Sequence, residues 1–179
     1  MKTVNIYTDG ACSGNQNESN IGGWGAVLEY QENIKELFGG TKDTTNNIME
    51  LTGVIEGLKC LNSKSLSINI FSDSAYIVNC INDKWYAKWR VNGWISSKKE
   101  PVENKELWEE LIDLVESFDR VNFYKVKGHL NIDNQTEMKK WHTKYKEKYP
   151  NDSFEYFIHL TNMNNKADEL ANKGMSSLK

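Results

Sequence analysis

VNIYTDGACSGN, residues 4–15, combines an apolar run with a carboxylate near its end. The apolar residues favour a short β-strand that ends at residues 8–10. Burying an ionised aspartate is costly unless it is paired or binds a metal ion, so Asp9 stands out. This stretch alone leaves two interpretations open: Asp9 and Gly10 form a turn, or Asp9 is a functional carboxylate.

Two further strands are predicted after the first. A turn region rich in Gly, Asn and Ser leads into a strand at residues 23–30, and residues 35–41 predict a third strand. Only a short polar break separates the second strand from the third. Because short connections favour antiparallel neighbours, we expect the chain to open with a meander of three strands.

Two more acidic residues lie where helices begin. The sequence TTNN at residues 44–47 predicts the start of an amphipathic helix, and Glu50 lies in its first turns. A compact strand at residues 67–71 is followed directly by Asp73 and by a helix that begins at Ser74. The alternatives are that Glu50 only interacts with the helix dipole and that Asp73 only caps its helix.

Residues 84–105 are rich in both basic and aromatic side chains. Six Lys and Arg residues against two Glu residues give this segment a net charge of +4. Its tryptophans include Trp85 and Trp89, which are four residues apart and so share a helix face. Basic residues interleaved with aromatic ones suit a nucleic-acid backbone and its sugars. The alternative is a small aromatic sub-core beneath a charged, solvated face.

The second half of the chain predicts a helix at residues 104–118, a strand at residues 121–126 and then the motif KGH, which ends at His129. We expect a short basic amphipathic helix that ends before Pro150. Residues 154–160 are aromatic and apolar and are predicted to pack back on the domain. A terminal helix is predicted to start at Asn164, which places Asp168 in its first turn.

Composition indicates a single globular domain spanning residues 1–179, with 39% hydrophobic and 11% aromatic residues. Three cysteines at wide spacings argue against a disulfide framework and a zinc site, and for a reducing compartment. No apolar run is long enough for a membrane span, and the N-terminus lacks a signal-peptide layout. We therefore expect a cytoplasmic monomer. The formal charge of −3 gives no global sign of nucleic-acid binding.

Six motifs occur in order along the chain: YTDGACSGN, GGWGAVL, TTNNIMEL, FSDSAYIV, VKGH and NKADELAN. They resemble the successive motifs of the bacterial type 1 ribonuclease H (ribonuclease HI) family, and the likeness covers most of the chain except about residues 130–162. The resemblance implies an α/β protein with a ribonuclease H-like fold. Its five-stranded mixed sheet would have three antiparallel strands and then two strands parallel to the first, with helices on both faces.

The same resemblance implies an endonuclease that hydrolyses the RNA strand of RNA–DNA hybrids with two Mg²⁺ ions, leaving 5′-phosphate and 3′-hydroxyl ends. Clustered carboxylates repel one another unless a divalent cation lies among them, and oxygen ligands suit Mg²⁺ or its substitute Mn²⁺. The positions that match the family's metal ligands are Asp9, which would bridge both ions, Glu50, Asp73 and Asp168. His129 would assist proton transfer or product departure.

Substrate contacts are implied by the same motif positions. Reading 2′-hydroxyls in the minor groove is how a protein distinguishes RNA from DNA, and the residues that match such positions are Asn15, Asn46 and Asn47. The residues that match a basic protrusion holding the DNA strand are Trp85, Trp89 and Trp94. The residues that match a pocket for a DNA phosphate are Thr45 and Asn104.

Two departures concern the substrate contacts. Asp43 occupies the position, two before Thr45, where the family usually has arginine. A carboxylate cannot bind phosphate as a guanidinium does, so this pocket should be weaker or rebuilt by a nearby lysine such as Lys42. The protrusion is also less basic than in well-known relatives.

A third departure concerns the insertion, residues 130–162. His129 and Asp168 are separated by 38 residues, many more than is common in the family. The insertion either carries a basic helix to the active site or only stabilises the loop. Asp133 lies closer to His129 and is the rival fourth ligand, but the NKADELA motif favours Asp168.

Three other functions compete with the hybrid-specific nuclease. The protein could be another nuclease of the same superfold, a catalytically silent hybrid-binding module, or a structural domain with acidic helix caps. The basic tryptophan-bearing segment favours the hybrid as substrate. The presence of all four carboxylates argues against a silent module.

Overall fold

The computed structural model describes residues 1–14 and 20–179. The strands in these residues are β1 (Lys2–Ser13), β2 (Ile21–Tyr30), β3 (Asn33–Lys42), β4 (Leu66–Ser72) and β5 (Arg120–Lys125). The helices are α1 (Asn46–Lys59), α2 (Ala75–Asn82), α3 (Trp85–Asn92), α4 (Lys105–Ser117), α5 (Gln135–Lys148) and α6 (Phe154–Ser176). None of these helices has the combination of length and apolar character that a membrane span requires.

The five strands form one mixed sheet in the order β3-β2-β1-β4-β5. The first three strands pair antiparallel, whereas β4 runs parallel to β1 and β5 runs parallel to β4. The predicted fold class, with three antiparallel strands followed by two parallel ones, is confirmed.

The first strand is longer than the sequence predicts. It does not end at residues 8–10, because β2 continues to pair with it as far as Ser13, with Asp9 opposite Gly25. Parallel pairing with β4 stops earlier, where Thr8 lies opposite Ser72. Asp9 therefore lies inside a strand, one residue beyond the last pair with β4, and its interpretation as part of a turn is wrong.

Buried apolar residues lie on both faces of the sheet. On one face, helices α1, α2 and α4 pack over a core that includes Ile6, Ile70 and Trp108. On the other face, α6 packs over Tyr7 and Phe71, whose rings stack at 5.0 Å. Successive residues such as Ile6 and Tyr7 point to opposite faces, as the pleat of a strand requires. The prediction that helices cover both faces is confirmed.

The C-terminal helix begins ten residues before the predicted start at Asn164. The Ser153 hydroxyl caps α6 by accepting a hydrogen bond from the Tyr156 backbone N–H at 3.0 Å. Asn164 lies buried in mid-helix, and the Asn165 side chain donates a hydrogen bond to the Leu130 carbonyl at 3.0 Å. These tertiary contacts override the preference of asparagine for helix starts. The prediction that Asp168 lies in a first turn is therefore wrong.

The insertion folds into α5 and the first turns of α6. The predicted basic helix before Pro150 is confirmed as α5, which ends at Lys148. Met138 of α5 is fully buried and packs in a small apolar cluster with Leu130 and Phe157 of α6. The insertion is thus anchored on the same helix that carries Asp168.

Close packing of α6 on the sheet depends on positions without a side chain. A Cβ atom at Gly25 of β2 would lie 2.7 Å from the Leu170 Cβ and 2.8 Å from the Ala171 backbone nitrogen. On the next strand, Gly39 meets Gly174 of α6 backbone to backbone. Because Gly25 pairs with Asp9, the contact at Gly25 also sets how near α6 lies to Asp9.

We expect Gly25→Ala to lower the free energy of unfolding by about 1–3 kcal/mol, because the added methyl group forces α6 away from β2. Urea denaturation measures the change. Gly53→Ala in α1 is the matched control, since its nearest described contact would be at 3.3 Å and alanine favours the helix. That variant should stay within about 1 kcal/mol of the parent protein. If both variants lost the same free energy of unfolding, the close packing of α6 on Gly25 of β2 would be contradicted.

Candidate active site

Three carboxylates meet at the edge of the sheet where β4 ends. Asp9 lies one residue beyond the last β1–β4 pair, and Asp73 directly follows the partner residue Ser72. Glu50 reaches them from α1. Each of the three offers a carboxylate oxygen that lies within 4.8 Å of the others. Asp9 is 2% exposed and Glu50 is 4% exposed, so the cluster is largely shielded from water.

Glu50 is brought to the cluster by the close approach of α1 to β1. A Cβ atom at Gly10 would lie 2.6 Å from the Glu50 backbone nitrogen, so only glycine permits this contact. Thr45, not an acidic residue, caps α1 by accepting a hydrogen bond from the Ile48 backbone N–H at 3.1 Å. The buried Oε2 of Glu50 has no hydrogen-bond partner among the described residues. An interaction with the helix dipole does not account for this placement.

Asp73 is free to face the cluster because it does not cap α2. The cap is Ser74, whose hydroxyl accepts a hydrogen bond from the Ile77 backbone N–H at 3.3 Å. On its other side, Asp73 lies against Gly128, where a Cβ atom would overlap the Asp73 Oδ2. The interpretations of Asp73 as an N-cap and of the acidic residues as mere helix caps are wrong.

Asp168 joins the cluster from mid-α6. It lies within hydrogen-bonding reach of Asp9 and close enough to influence Glu50 and Asp73 electrostatically. The exposed His129 has its Nδ1 3.6 Å from the Asp168 Oδ2. The rival, Asp133, is exposed in a turn stabilised by its own backbone N–H and Asn131. Of the two aspartates, the geometry brings Asp168 to the site.

Burial and mutual repulsion favour the protonated forms of these carboxyl groups. Loss of hydration and the nearby charges of Glu50 and Asp73 raise the pKa of Asp9 from 3.8 to about 10. Loss of hydration and the charge of Asp73 raise the pKa of Glu50 from 4.5 to about 8. The pKa of Asp73 is also raised, chiefly by burial. Such groups resist full ionisation at neutral pH unless a cation balances them.

The cluster fits a divalent metal ion. Its donors are all carboxylate oxygens, which suit hard cations of the Mg²⁺ type. The buried Glu50 Oε2 has no hydrogen-bond partner in the part of the chain that the structure describes, and a buried, unpaired carboxylate oxygen is costly unless it binds a cation. Asp9, Glu50 and Asp73 could hold one ion directly, and Asp168 lies close to Asp9.

Comparison with known proteins identifies the family of the chain. The sequence model of the RNase H family matches residues 1–140. The chain belongs to the ribonuclease H family. Asp9, Glu50 and Asp73 lie within the matched part of this ribonuclease H, as does Asp133. Asp168 lies beyond it, so its place in the site rests on the fold and on the NKADELA motif.

Ribonucleases H of several bacteria are similar in sequence to this chain. That of Clostridium botulinum is 53% identical over 129 residues, which cover 72% of this chain and 85% of that protein. That of Syntrophomonas wolfei is 52% identical over 129 residues, covering 72% and 86%. At this identity the chain is a ribonuclease H enzyme.

Solved structures share the fold. LC9-RNase H1, described as a type 1 RNase H with the type 2 active-site motif, superposes with a TM-score of 0.72 at 24% identity, covering 99% of this chain and 74% of that one. LC11-RNase H1, solved with an RNA/DNA hybrid, gives a TM-score of 0.57 at 19% identity, covering 98% of each chain. At these identities the likeness concerns the fold alone.

The predicted substrate contacts lie on several elements. Thr45, Asn46 and Asn47 stand at the start of α1, with Thr45 and Asn46 exposed. Asn104 directly precedes α4. Asp43 adopts a left-handed backbone with φ of 55°, a conformation that aspartate tolerates better than arginine. Asn15 lies outside the described residues.

The tryptophan-bearing segment has a packed part and an exposed part. Trp89 and Trp94 pack against each other at 5.7 Å and against the main core, so they form the predicted sub-core. Trp85 is 39% exposed and, together with Trp89 and Lys88, lines a groove of about 410 Å³. This groove is open to a ligand from solvent.

Sequence reasoning did not identify Gly10 and Gly128 as parts of the site. Both allow backbone to approach a carboxylate-bearing residue, Glu50 and Asp73 respectively. The sequence did offer a signal, because Gly10 directly follows Asp9 and Gly128 directly precedes His129. Glycine at such positions is equally common in turns, so this signal did not distinguish a close backbone contact from a turn.

We expect the metal-free protein to lose stability as the pH rises. The carboxyl groups ionise near pH 3.8 and 4.5 when unfolded but at about 10 and about 8 in the folded cluster. The folded state therefore binds more protons above pH 4.5, and its proton-linked stability falls as the pH rises through the folded pKa values. The melting temperature in chelator, followed from pH 6 to 8.5, measures this loss.

Asp9→Asn is the control for this pH dependence, because it removes one carboxylate without changing the shape of the side chain. Its melting temperature should fall less steeply with pH than that of the parent protein. Added Mg²⁺ should raise the melting temperature of the parent most at the alkaline end, since binding displaces the protons. If the melting temperatures of the two proteins fell equally steeply with pH, ionisation of the carboxylate cluster would not be the cause of the loss of stability.

Proposed function

We propose that this ribonuclease H cuts the RNA strand of RNA–DNA hybrids internally with two divalent cations, leaving 5′-phosphate and 3′-hydroxyl ends. Mg²⁺ is the proposed ion, and Mn²⁺ is a substitute. The observation that carries the proposal is the buried cluster of Asp9, Glu50 and Asp73 with Asp168 and His129 at its edge. That LC11-RNase H1 was solved with an RNA/DNA hybrid supports the substrate.

The roles proposed for the carboxylates follow from the motif positions that they match in the family. Asp9 is close enough to Glu50, Asp73 and Asp168 to interact with all three, which suits a ligand that would bridge two ions. When bound, two such ions stabilise the attacking and leaving oxygens of an in-line displacement. Glu50 and Asp73 would serve the leaving-group side, where Glu50 also meets the neighbouring 2′-hydroxyl. Asp168 would serve the water side.

His129 lies beside Asp168, at the edge of the carboxylate cluster. Its ring is 71% exposed and has one nitrogen directed at Asp168. An exposed imidazole can exchange a proton with solvent and pass it to or from a group at the cluster. We propose that His129 assists proton transfer or product departure.

Hybrid binding would use three surfaces around the site. Asn46 and Asn47, at the amino end of α1, would contact the minor groove together with Asn15. Trp85, beside the groove at α3, would hold the DNA strand with Trp89 and Trp94. Thr45 and Asn104 would contact a DNA phosphate, and the left-handed Asp43 makes this contact weaker than an arginine would.

We expect end-labelled RNA paired with DNA to be cut internally in Mg²⁺ and to stay intact in chelator. The same RNA paired with RNA or single-stranded should not be cut, because selection needs both a 2′-hydroxyl strand and a DNA strand. Asp9→Asn should lower the cleavage rate by at least roughly 1,000-fold while retaining hybrid affinity. Equal cutting of all three substrates would identify a broader nuclease, and cleavage by pure Asp9→Asn protein would place the site elsewhere.

Asp168→Asn and Asp133→Asn form a matched pair that tests the fourth ligand. Asp168→Asn should slow hybrid cleavage by roughly 100-fold or more, since the neutral amide is a poor metal ligand. Asp133→Asn should leave the rate within about 2-fold, because removing one exposed surface charge has little effect. Rates are measured under single-turnover conditions with saturating Mg²⁺. The opposite ranking would make Asp133 the ligand.

A further inference from the structure

The insertion forms a cavity with β5 that none of the proposed roles uses. Its volume is about 250 Å³. Its apolar and aromatic lining includes Val126, Phe157, Trp141 and two tyrosines of the insertion. Four lysines also line it: Lys125, Lys127, Lys144 and Lys148.

Helical spacing places one face of α5 on this cavity. Trp141 and Tyr145, like Lys144 and Lys148, are four residues apart, and all four residues line the cavity. Lys139 and Lys146 are seven residues apart on the other side of the helix and do not line it. The basic face of α5 is therefore divided into a cavity side and a solvent side.

The cavity concentrates positive charge around one ring. The ammonium groups of Lys127, Lys140 and Lys144 lie 4.8, 5.6 and 4.6 Å from the centre of the Trp141 ring. No carboxylate in residues 1–14 or 20–179 forms a salt bridge with these three lysines. Like charges held this close repel one another, and an anionic ligand between them would relieve the repulsion.

Basic residues of the tryptophan-bearing segment differ in this respect. Arg90 contacts Glu116 at 2.6 Å, and Lys105 contacts Glu109 at 3.8 Å. Part of the positive charge there is already balanced within the protein. None of the salt bridges among the described residues involves the four cavity lysines, although Lys125 lies close enough to Asp73 for their charges to interact.

Hydrogen bonds and packing hold side chains at and beside the cavity in place. The Tyr145 hydroxyl donates a hydrogen bond to the Asp152 carboxylate at 2.9 Å, and the His142 Nε2 lies 3.1 Å from the Asp152 carbonyl oxygen. Tyr145 also packs against Phe157 of α6 at 5.3 Å between ring centres. Side chains held in this way lose little freedom on binding a ligand.

The cavity adjoins the carboxylate cluster through β5. Lys125 pairs with Ser72, the residue directly before Asp73. Lys127 is followed by Gly128, which lies against the Asp73 carboxylate. A polynucleotide with its reactive phosphate at the cluster would bring neighbouring phosphates along this edge. A polyanion with regular phosphates fits this arrangement better than an isolated anion does.

We propose that the cavity between β5 and α5 is an additional nucleic-acid contact, where Lys125, Lys127, Lys144 and Lys148 bind phosphates of the hybrid and Trp141 packs against a sugar. This inference rests on the proposed function for the choice of nucleic acid. It assigns the insertion a role in holding the substrate rather than only in supporting the loop after His129.

The test compares two double variants of α5 with equal loss of charge. Lys144→Ala/Lys148→Ala removes two lysines of the cavity, and Lys139→Ala/Lys146→Ala removes two that do not line it. All four side chains belong to exposed residues, so both variants should fold. Hybrid affinity is measured by fluorescence anisotropy in an Asp9→Asn background with Mg²⁺, at several salt concentrations.

We expect Lys144→Ala/Lys148→Ala to weaken hybrid binding by about 5- to 30-fold at moderate salt and to make the salt slope shallower by roughly 1 to 2. Lys139→Ala/Lys146→Ala should change affinity by less than about 2-fold and keep the salt slope. Lys144→Arg/Lys148→Arg should retain affinity, because it retains the charge. A loss in this third variant equal to that in Lys144→Ala/Lys148→Ala would indicate a structural effect and overturn the proposal.

Two further outcomes would also overturn the proposal that the cavity binds the hybrid. Equal losses in the two alanine variants would mean that only the overall charge of α5 matters, and no loss in either would mean that the cavity does not contact nucleic acid. Cleavage of the hybrid by the parent protein is assayed separately. If the parent cuts the hybrid while the alanine variants bind alike, the inference fails and the proposed function stands. If the parent does not cut it, the proposed function fails whatever the binding shows.

Discussion

Mutual repulsion among buried carboxylates is the constraint around which this structure is arranged. Asp9, Glu50 and Asp73 offer oxygens within 4.8 Å of one another, with little water to screen them. The parallel register of β1 and β4 sets Asp9 beside Asp73. Gly10 and Gly128 then let backbone approach Glu50 and Asp73 without a clash. A site that disfavours its own ionisation is well suited to hold a cation.

The insertion and the last helix act together. In the fold, α6 is a single helix of 23 residues that is anchored at one end on α5 and farther along on the glycines of β2 and β3. Asp168 lies within the part of α6 that packs on Gly25 of β2, between Ala167 and Leu170. The insertion therefore lengthens the helix that presents Asp168 and, at the same time, places a row of lysines beside β5. The insertion can therefore both support the helix that carries Asp168 and contact the substrate.

Local sequence patterns predicted most helices and strands, whereas the residues at which some of them begin or end depended on tertiary packing. The TTNN start of α1 and the serine start of α2 satisfy free N–H groups in the way that sequence rules assume. The start predicted at Asn164 was wrong, because the side chain of Asn165 bonds to Leu130 from a distant part of the chain. The end predicted for the first strand was wrong because β2 continues the pairing. Neither long-range partner is visible in a local window.

By itself, the sequence determined the order of strands and helices, the family and the identity of the candidate carboxylates, since these depend on short-range patterns and ordered motifs. Only the tertiary structure decided that Asp168 rather than Asp133 reaches the cluster, and that four lysines from β5 and α5 surround one cavity. The distance between side chains far apart in the chain is set by how helices pack on the sheet. Glycine contacts and buried side chains along the whole chain determine that packing together.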